Sequence, residues 1–332
     1  MIIVMKQKAA AEAEALCMAL VAKGISCEMH KAGGQTVILP TGKMLPEAEW
    51  LLAQPGVAEV CGLPESPHLA GREGHPEDTV VRVGPAVIGG GGLALIAGPC
   101  AVEGREQIMS AAKAAAAAGA VMLRGGAFKP RTSPYTFRGL GAEGLHLLKA
   151  AGEATGLGVV SEIMAVEQLP LFEEAGIDCL QVGARNMQNF PLLTALGRQK
   201  KPVLLKRGLA ATYEEWLDAA EYILTEGNPN VILCERGIRT LPGGTRGLLD
   251  VSAPAVLRGL THLPVIVDPS HAAGRAEWVA PLAMAAVAAG AAGVMVEIHP
   301  EPQNAMSDAA QALKPDELIT LADRLRKICA VR

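Results

Sequence analysis

The sequence predicts an α/β protein in which a TIM (β/α)8 barrel follows a small N-terminal ferredoxin-like α+β domain. Two patterns support this fold class. Within the first ~65 residues, the apolar pattern follows the order strand, helix, strand, strand, helix, strand, which is that of a ferredoxin-like sandwich. From residue 93 onwards, eight short apolar runs alternate with eight helical segments over ~240 residues, the size of a TIM barrel. Apolar runs of about four to six residues are typical of parallel strands buried on both faces.

In the N-terminal domain, residues 1–65, MIIVMK predicts the first strand and QKAAAEAEALCMALVAKG a helix that ends at Gly24. SCEMHK and QTVILP predict the middle strands, EAEWLLAQ the second helix and VAEVCGL the last strand. Residues 66–78 are rich in proline, glycine and charge, which is typical of a linker. The segment TVVRVGPAVIG predicts a hairpin at the start of the second domain, residues 79–332.

Strands of the second domain are predicted at LALIAGPC, VMLRGG, GVVSE, CLQVGAR, PVLLKRG, VILCERG, PVIVDPSH and GVMVEIH. The helices between and after them are predicted at 103–118, 142–155, 166–175, 190–197, 212–225, 252–259, 276–289 and 315–329. An open doubly wound sheet is the alternative topology. It would require a glycine-rich phosphate-binding turn after the first strand, and GPCAVEG lacks that pattern.

Composition narrows the classes of function. Half of the residues are hydrophobic but only 3% are aromatic, which predicts a core of small aliphatic side chains. A net charge of −4 argues against a nucleic-acid partner. Seven cysteines without a CxxC pair indicate a reducing, cytoplasmic location, and the N-terminus lacks a signal-peptide pattern. The alanine-rich segment 276–292 contains Glu277 and Pro281, so we expect a buried helix and no membrane span.

Polar side chains stand at or just after the carboxyl ends of all eight predicted barrel strands. These ends meet at the active-site face of a TIM barrel, and a buried polar group without a partner is costly there. The sequence therefore predicts a single polar site at this face. In chain order the residues are Cys100, Arg124, Glu162, Arg185, Lys206, Glu235 with Arg236, Asp268 with His271, and Glu297.

Six cations are predicted near this face: Arg124, Lys129, Arg131, Arg185, Lys206 and Arg236. Two of them belong to AFKPRTSPY, which taken alone would fit a solvated surface loop. Guanidinium groups bind phosphate and carboxylate oxygens in pairs, and an ammonium group acts as a point charge. The cations therefore predict phosphorylated substrates with two or more anionic groups. The alternative for one or two of them is a structural ion pair with Glu162, Glu235 or Asp268.

A second set of residues carries the donor atoms of a metal site. Cys100, His271 and Glu297 lie on the first, seventh and eighth strands, and the first and eighth are neighbours in a closed barrel. Asp308 follows in the loop after the eighth strand. Mixed soft and hard ligands suit a divalent transition metal. His299 is a further candidate ligand, because strand alternation places it on the same side as Glu297.

Six motifs in order resemble those of 3-deoxy-D-arabino-heptulosonate-7-phosphate (DAHP) synthases of the shorter, type I-beta group. They are AGPC at 97–100, KPRTS at 129–133, QVGAR at 181–185, LLKRG at 204–208, CERGIRT at 234–240 and DPSHAAG at 268–274. The resemblance covers about residues 79–332. A sister family, the 3-deoxy-D-manno-octulosonate-8-phosphate synthases, usually carries Asn-Arg where this chain has Pro130-Arg131. The N-terminal domain is similar to the regulatory extension of some members.

The resemblance implies a transferase that condenses phosphoenolpyruvate with erythrose 4-phosphate and water to give DAHP and phosphate, at the entry to the shikimate pathway. It implies catalytic roles for Lys129, Cys100, His271 and Glu162, and metal binding by Cys100, His271, Glu297 and Asp308. The implied metal is Mn²⁺, with Fe²⁺, Co²⁺ or Zn²⁺ as alternatives. The implied contacts to phosphoenolpyruvate are Arg124, Lys129, Arg185, Lys206 and Arg236. Those to erythrose 4-phosphate are Arg131, Thr132, Ser133 and Asp268.

The resemblance further implies a homo-oligomer, tetramer or dimer, and feedback inhibition by tyrosine or phenylalanine through the N-terminal domain, without a nucleic-acid or membrane partner. Three alternatives stay open at this point. One is the sister reaction with arabinose 5-phosphate as acceptor. Another is a Schiff-base aldolase with Lys206 or Lys129 as nucleophile. The last is an amino-acid sensor whose barrel has lost its activity.

Overall fold

The computed structural model describes residues 2–32, 35–41, 45–61, 69–73, 75–130, 133, 135–240 and 243–332. The chain divides into two compact units, Met1–Ser66 and Pro67–Arg332. Part of the predicted linker is attached to the second unit. The backbone N–H of Ala70 donates to Glu221 Oε1 at 2.6 Å, and Arg72 Nη2 donates to the carbonyl oxygen of Thr261 at 2.8 Å.

The first unit has the predicted ferredoxin-like order. Its elements are β1 (Ile2–Met5), α1 (Ala10–Ala22), β2 (Ser26–Ala32), β3 (Gln35–Thr41), α2 (Ala48–Leu52) and β4 (Val57–Cys61). They form an antiparallel sheet in the order β2-β3-β1-β4. Leu16 and Leu20, one turn apart on α1, are buried in a core with Ile3 and Ile38. This fold prediction is confirmed.

The second unit is a closed barrel of eight parallel strands, as predicted. Neighbouring strands pair in chain order, and the last strand pairs with the first, with Glu297 opposite Gly98. This closure places the first and eighth strands side by side. The strands are β7 (Ala94–Gly98), β8 (Met122–Arg124), β9 (Gly158–Ile163), β10 (Cys179–Val182), β11 (Val203–Lys206), β12 (Val231–Glu235), β13 (Val265–Val267) and β14 (Gly293–Glu297).

The helices of the barrel match the predicted segments with one addition, the short α9. They are α3 (Arg105–Ala117), α4 (Ala142–Thr155), α5 (Leu169–Glu174), α6 (Phe190–Gly197), α7 (Tyr213–Leu224), α8 (Ala253–Leu260), α9 (Pro269–Ala273), α10 (Ala276–Ala288) and α11 (Pro315–Cys329). A capping box begins α7, in which Thr212 Oγ1 accepts from the Glu215 N–H at 3.1 Å and Glu215 Oε2 accepts from the Thr212 N–H at 2.8 Å. In the described part of the chain, no helix combines the length and apolarity that a membrane span requires.

A hairpin closes the amino-terminal end of the barrel. Its strands, β5 (Val81–Val83) and β6 (Ala86–Ile88), are antiparallel, as the sequence predicts. Their apolar side chains belong to the same buried cluster as the inward-facing side chains of the barrel. The contact is close, because a Cβ atom on Gly158 would lie 2.6 Å from the carbonyl oxygen of Val83. The hairpin therefore completes the apolar interior below the site.

Candidate active site

The inward-facing surface of the barrel changes from apolar to polar within two residues along seven of the eight strands. Residues i and i+2 of a strand face the same side. The apolar interior cluster includes Ile96, Met122, Val160, Cys179, Leu204, Cys234, Ile266 and Met295. Two positions further along the chain stand Gly98, Arg124, Glu162, Gln181, Lys206, Arg236, Asp268 and Glu297. Seven of these eight positions are polar, so the predicted site forms the inward layer at the carboxyl ends of the strands.

A cavity of about 170 Å³ lies at this end of the barrel. Its lining includes eight residues that the sequence predicts for the site: Arg124, Lys129, Glu162, Arg185, Lys206, Arg236, His271 and Asp308. A larger cavity, of about 480 Å³, lies near the amino ends of β13 and β14 and contains none of these eight among its described lining residues. The smaller cavity is therefore the candidate active site.

The structure brings together the four predicted metal ligands. Donor atoms of Cys100, His271, Glu297 and Asp308 all lie within 4.8 Å of one another. His271 Nε2 is 3.2 Å from Glu297 Oε1, and Cys100 Sγ donates to Asp308 Oδ2 at 3.1 Å. A thiol, an imidazole and two carboxylates form a donor set that suits a divalent transition metal. The residues present therefore fit the predicted metal.

Asp268 fixes the orientation of His271. It caps α9, where its Oδ1 accepts from the backbone N–H of His271 at 3.0 Å and its Oδ2 lies 2.6 Å from His271 Nδ1. An ionised carboxylate only accepts hydrogen bonds, so Nδ1 carries the proton and Nε2 keeps its lone pair. A carboxylate behind the ring is the usual partner of a metal-binding histidine. The local chain fold thus presents Nε2 to the cluster.

Burial and neighbouring charges set the protonation of the four candidate ligands. Burial, with Glu297 nearby, raises the pKa of the Cys100 thiol to about 12. Burial also lowers the pKa of His271. For Asp308, burial opposes ionisation, but attraction to His271 and Arg246 outweighs it and lowers the pKa to about 2. The pKa of Glu297 is lowered for the same kind of reason, because attraction to His271 and Arg124 outweighs burial.

Two of the predicted cations form buried ion pairs. Lys206 Nζ contacts Asp268 Oδ2, as one of the predicted alternatives, and Arg124 Nη1 contacts Glu297 Oε1. Attraction to His271 and Lys206 outweighs burial and holds the pKa of Asp268 well below its usual range. Glu235 pairs instead with Arg207, whose Nη1 is 3.0 Å from Glu235 Oε2. Arg207 also contacts Asp250, so this pair belongs to a structural network outside the cavity lining.

One atom of this layer lacks an acceptor. Among the residues that the structure describes, Arg124 Nε is the buried side-chain nitrogen or oxygen without a hydrogen-bond partner. A buried donor that stays unsatisfied costs about 1–3 kcal/mol, and more for a charged group. Because Arg124 lines the cavity, an anionic ligand could supply the missing acceptor.

Glycines of the motifs make room for two polar side chains of the cavity. A Cβ atom on Gly126 would lie 2.7 Å from Lys129 Cδ, and Lys129 Nζ donates to the carbonyl oxygen of Cys100 at 2.9 Å. A Cβ atom on Gly183 would lie 2.0 Å from Glu162 Oε1. The glycines before KPRTS and within QVGAR therefore leave the space that the side chains of Lys129 and Glu162 occupy.

Comparisons with known proteins agree with this geometry. A family model described as the DAHP synthetase I family matches residues 77–330. The chain belongs to this family. Phospho-2-dehydro-3-deoxyheptonate aldolase of Thermotoga maritima is 50% identical over 260 residues, which are 78% of this chain and 77% of that protein. The resemblance to DAHP synthases is therefore confirmed, and the chain is an enzyme of this class.

Solved structures and a more distant relative extend the comparison. The crystal structure of DAHP synthase from Thermotoga maritima is 43% identical, with a TM-score of 0.80, and the match covers 99% of this chain and 97% of that one. A truncated form of the Thermotoga enzyme is 46% identical, with a TM-score of 0.74, over 79% of this chain and 96% of its own. The 2-dehydro-3-deoxyphosphooctonate aldolase of Citrifermentans bemidjiense is 32% identical over 272 residues, 76% of this chain and 97% of that protein.

Several predicted contacts to erythrose 4-phosphate are not found in the cavity lining. Arg131 and Thr132 lie outside the described residues. Ser133 is described but is not among the lining residues, and its Oγ accepts from the Tyr135 N–H at 3.4 Å. Asp268 is fully buried behind Lys206 and His271 and also does not line the cavity. The prediction of substrate contacts by these four residues is therefore untested.

His299 lies apart from the candidate metal ligands. Its Nε2 is 3.3 Å from Glu103 Oε2, and its Nδ1 accepts from the Glu301 N–H at 3.0 Å. Both ring nitrogens therefore have partners of their own, and the described group of possible metal ligands does not include this residue.

The sequence analysis did not name two polar residues of the described lining, Gln181 and Arg246. Gln181 could have been found, because it stands inside QVGAR two positions after the apolar Cys179. Arg246 lies in an irregular segment between β12 and α8, where no periodic pattern marks the direction of a side chain.

Proposed function

We propose that this enzyme catalyses the metal-dependent condensation of phosphoenolpyruvate with erythrose 4-phosphate and water, giving DAHP and phosphate. The observation that carries the proposal is the adjacency of a metal-type donor cluster and a cation-lined cavity. His271 and Asp308 belong to both, since they are candidate ligands and also line the cavity. A metal at this cluster would thus lie beside any anionic substrate held by the cations.

Phosphoenolpyruvate carries a carboxylate and a phosphate, and the cations fall into two matching groups. Arg124 and Lys206 lie in the buried layer with Glu297 and Asp268. Arg185 and Arg236 line the cavity and also a neighbouring one of about 110 Å³. We assign the carboxylate to the first group, where Arg124 Nε needs an acceptor, and the phosphate to the second. Lys129 lines the cavity and its Nζ donates to the backbone carbonyl oxygen of Cys100, so we assign it a position between the substrate and the metal cluster.

The acceptor aldose phosphate is assigned to the segment that follows Lys129. Lys129 and Pro130, which directly precede Arg131 in the sequence, line the cavity. We assign the phosphate of erythrose 4-phosphate to Arg131, Thr132 and Ser133, as the resemblance implies. We infer that Asp268 supports the reaction indirectly, because its oxygens already contact His271 and Lys206.

The metal would be held by Cys100, His271 Nε2, Glu297 and Asp308. When bound, a divalent ion such as Mn²⁺, or alternatively Fe²⁺, Co²⁺ or Zn²⁺, acts as a Lewis acid that polarises the aldehyde carbonyl. Cys100 must lose its proton to ligate, whereas His271 Nε2 is already free to do so.

The remaining chemistry needs a proton donor and a positioned water. C3 of phosphoenolpyruvate attacks the aldehyde carbon, so a C–C bond forms and C2 becomes electron-poor. Water adds to C2, and phosphate leaves by cleavage of the C2–O bond. We assign the proton that reaches the new hydroxyl group to Lys129, and the orientation of the water to Glu162, since both side chains line the cavity.

Phosphate release from phosphoenolpyruvate tests the proposal. We expect fast release with erythrose 4-phosphate, slow release with arabinose 5-phosphate, and loss of activity after chelation that Mn²⁺ restores. The sister reaction is the second candidate, because relatives named for it share the barrel at about one-third identity. Faster release with arabinose 5-phosphate would support that reaction and contradict ours.

A Schiff-base aldolase fits the site less well. A Schiff base would require Lys206 Nζ to attack a carbonyl carbon, and this atom is already engaged in a buried ion pair with Asp268 Oδ2. Reduction with borohydride in the presence of substrate should leave the mass of the chain unchanged. A covalent adduct on Lys206 or Lys129 would contradict the metal mechanism.

We further propose that an aromatic amino acid, tyrosine or phenylalanine, inhibits the enzyme through the N-terminal unit. The described residues that line the candidate active site all belong to the second unit, which supports a regulatory and not a catalytic role for the first. The resemblance also supports a homo-oligomer, dimer or tetramer, and a cytoplasmic location, which stay predictions.

A further inference from the structure

The two carboxylates of the candidate metal cluster each have one oxygen bound on the side away from the metal position. Glu297 Oε2 accepts from Gln311 Nε2 at 2.6 Å, and Asp308 Oδ1 accepts from Arg246 Nη1 at 3.1 Å. Their other oxygens face the remaining ligands, since Glu297 Oε1 is 3.2 Å from His271 Nε2 and Asp308 Oδ2 is 3.1 Å from Cys100 Sγ. Glu297 Oε1 also contacts Arg124 Nη1, but a carboxylate oxygen has a second lone pair that can bind a metal. Each carboxylate therefore offers one oxygen to a metal.

Gln311 and Arg246 are themselves connected. Arg246 Nη1 donates to Gln311 Oε1 at 3.2 Å, which completes the chain Asp308–Arg246–Gln311–Glu297. The partners fix the direction of the amide, because a guanidinium group only donates and a carboxylate only accepts. Glutamine is suited to this position, since its amide oxygen can accept from the guanidinium group and its amide nitrogen can donate to the carboxylate. Its side chain is buried, with 2% of the residue exposed.

Backbone contacts hold this chain of side chains against the helix that carries His271. The N–H of Arg246 donates to the carbonyl oxygen of Ala273 at 3.2 Å, and that of Gly247 to Ala272 at 2.9 Å. A Cβ atom on Gly274 would lie 2.7 Å from Arg246 Cβ, so the segments pack closely. At the other end, the N–H of Gln311 donates to the carbonyl oxygen of Asp308 at 3.2 Å.

We propose that Arg246 and Gln311 form a brace that makes Glu297 and Asp308 each bind the metal through a single oxygen. The inference rests on the metal site of the proposed function. Two such oxygens, one thiolate and one imidazole make four protein donors, which leaves positions open for substrate oxygen. Carboxylates that bind through both oxygens would fill those positions and favour ions such as Ca²⁺, which takes six to eight oxygen ligands. Arg246 and Gln311 are thus positioning residues that set metal preference.

Metal affinity measured without substrates tests the brace. Gln311→Met keeps a side chain of similar length and removes its hydrogen bonds to Glu297 and Arg246. Arg246→Met removes the guanidinium group and with it the contacts to Asp308 and Gln311. Matched controls are Gln168→Met, which removes a contact to the Met164 N–H, and Arg198→Met, which removes a surface pair with Glu226. The full chain is stripped of metal, and the dissociation constants of Mn²⁺, Co²⁺ and Ca²⁺ are measured together with the far-UV circular dichroism.

Both brace variants should lose about 10–100-fold in Mn²⁺ affinity, which is the usual effect of removing a group that orients metal ligands. Affinity for Ca²⁺ should fall less, so the preference for Mn²⁺ over Ca²⁺ should shrink. The visible absorption of the Co²⁺-loaded variants should weaken, because these bands lose intensity as more ligands surround the ion. The double variant Arg246→Met/Gln311→Met should lose no more than the worse single variant, since the two residues act as a unit.

The expected loss of Mn²⁺ affinity is about 10–100-fold. The brace would be overturned if both brace variants kept their Mn²⁺ affinity and the intensity of the Co²⁺ spectrum within about twofold of the wild type. Equal losses for Mn²⁺ and Ca²⁺ would overturn its role in metal preference. Wild-type protein that binds neither Mn²⁺ nor Co²⁺ would remove the metal site of the proposed function itself, and the brace with it. If Gln311→Met does not fold, Arg246→Met decides, because that side chain is 41% exposed.

Discussion

Two inward-facing layers of the same barrel, separated by two residues along each strand, have opposite chemistry. The lower layer is apolar and is completed by the hairpin at the amino-terminal end. The upper layer carries ionisable groups that pair with one another or line the cavity: Glu162 lines the cavity, and Lys206 both lines it and pairs with Asp268. The difference shows that the barrel separates its tasks by depth, with the lower layer holding the strands together and the upper layer free to carry chemistry.

The two layers also differ in how burial of their side chains affects the stability of the protein. Full burial of an aliphatic side chain stabilises a protein by about 1.5–3 kcal/mol. Burial of a charge is unfavourable. Removal of one partner of a buried ion pair destabilises the protein by about 3–5 kcal/mol, because the other charge stays buried without a partner. Substitutions in the lower layer should therefore change stability alone, whereas those in the upper layer should change function, with or without a change in stability.

The largest effect is expected from a pair of identical substitutions, one in the candidate metal cluster beside the upper layer and one in the lower layer. Cys100→Ala removes a candidate metal ligand and should lower turnover by about 10²–10³-fold or more. Cys179→Ala removes the same atom from the apolar cluster and should cost about 1–2 kcal/mol of stability while it keeps turnover near that of the wild type. Steady-state kinetics and urea unfolding measure both. Comparable turnover losses in the two variants would remove the distinction between the layers.

A second pair lies on a single strand, β11. Lys206→Met should raise the KM for phosphoenolpyruvate by about 10–100-fold, since a hydrogen bond to a charged group is worth about 1.5–3 kcal/mol. It should also destabilise the fold, because Asp268 loses its cationic partner. Leu204→Ala should cost about 2–5 kcal/mol of stability and leave the KM unchanged. An unchanged KM in Lys206→Met would place the substrate elsewhere.

The upper layer could be predicted from the sequence because it repeats. Apolar runs with a polar residue at the end of nearly every strand mark the barrel and the predicted cavity residues that lie on strands or directly after them, which are Arg124, Glu162, Lys206 and Arg236. Helix α9 was not predicted, since five residues that begin with Pro269 carry no helical period. Arg246 and Gln311 were missed because each lies in a segment whose side-chain directions depend on tertiary contacts alone.

The comparison extends to the N-terminal unit, which we expect to regulate and not to catalyse. A chain that starts at Leu69 keeps the contacts of Ala70 and Arg72 with the barrel. It should stay active and lose inhibition by tyrosine and phenylalanine. A tenfold inhibition corresponds to about 1.4 kcal/mol of preference for the inhibited state, which a small binding site can supply. Inhibition of the shortened chain as strong as that of the full chain would place the effector site in the barrel.

The smallest predicted effect is the release of protons when the metal binds. At pH 7 a thiol with a pKa of about 12 is protonated, and Cys100 must become a thiolate to bind the metal. The pKa values of His271, Glu297 and Asp308 are lowered, so these three ligands have no proton to release. Metal binding should release about one proton, visible as a dependence of the calorimetric enthalpy on the buffer. Cys100→Ser should abolish this release, and a wild-type value near zero would contradict ligation by the thiolate.

We expect phosphoenolpyruvate to bind in the upper layer beside the metal cluster, a claim that phosphorus NMR can test. With Mn²⁺ bound, the paramagnetic ion should strongly broaden the phosphorus resonance of phosphoenolpyruvate. Arg185→Ala should weaken the broadening by releasing the substrate, and chelation should remove it. A sharp phosphorus resonance, with Mn²⁺ and phosphoenolpyruvate both shown to be bound by independent titration, would contradict the claim.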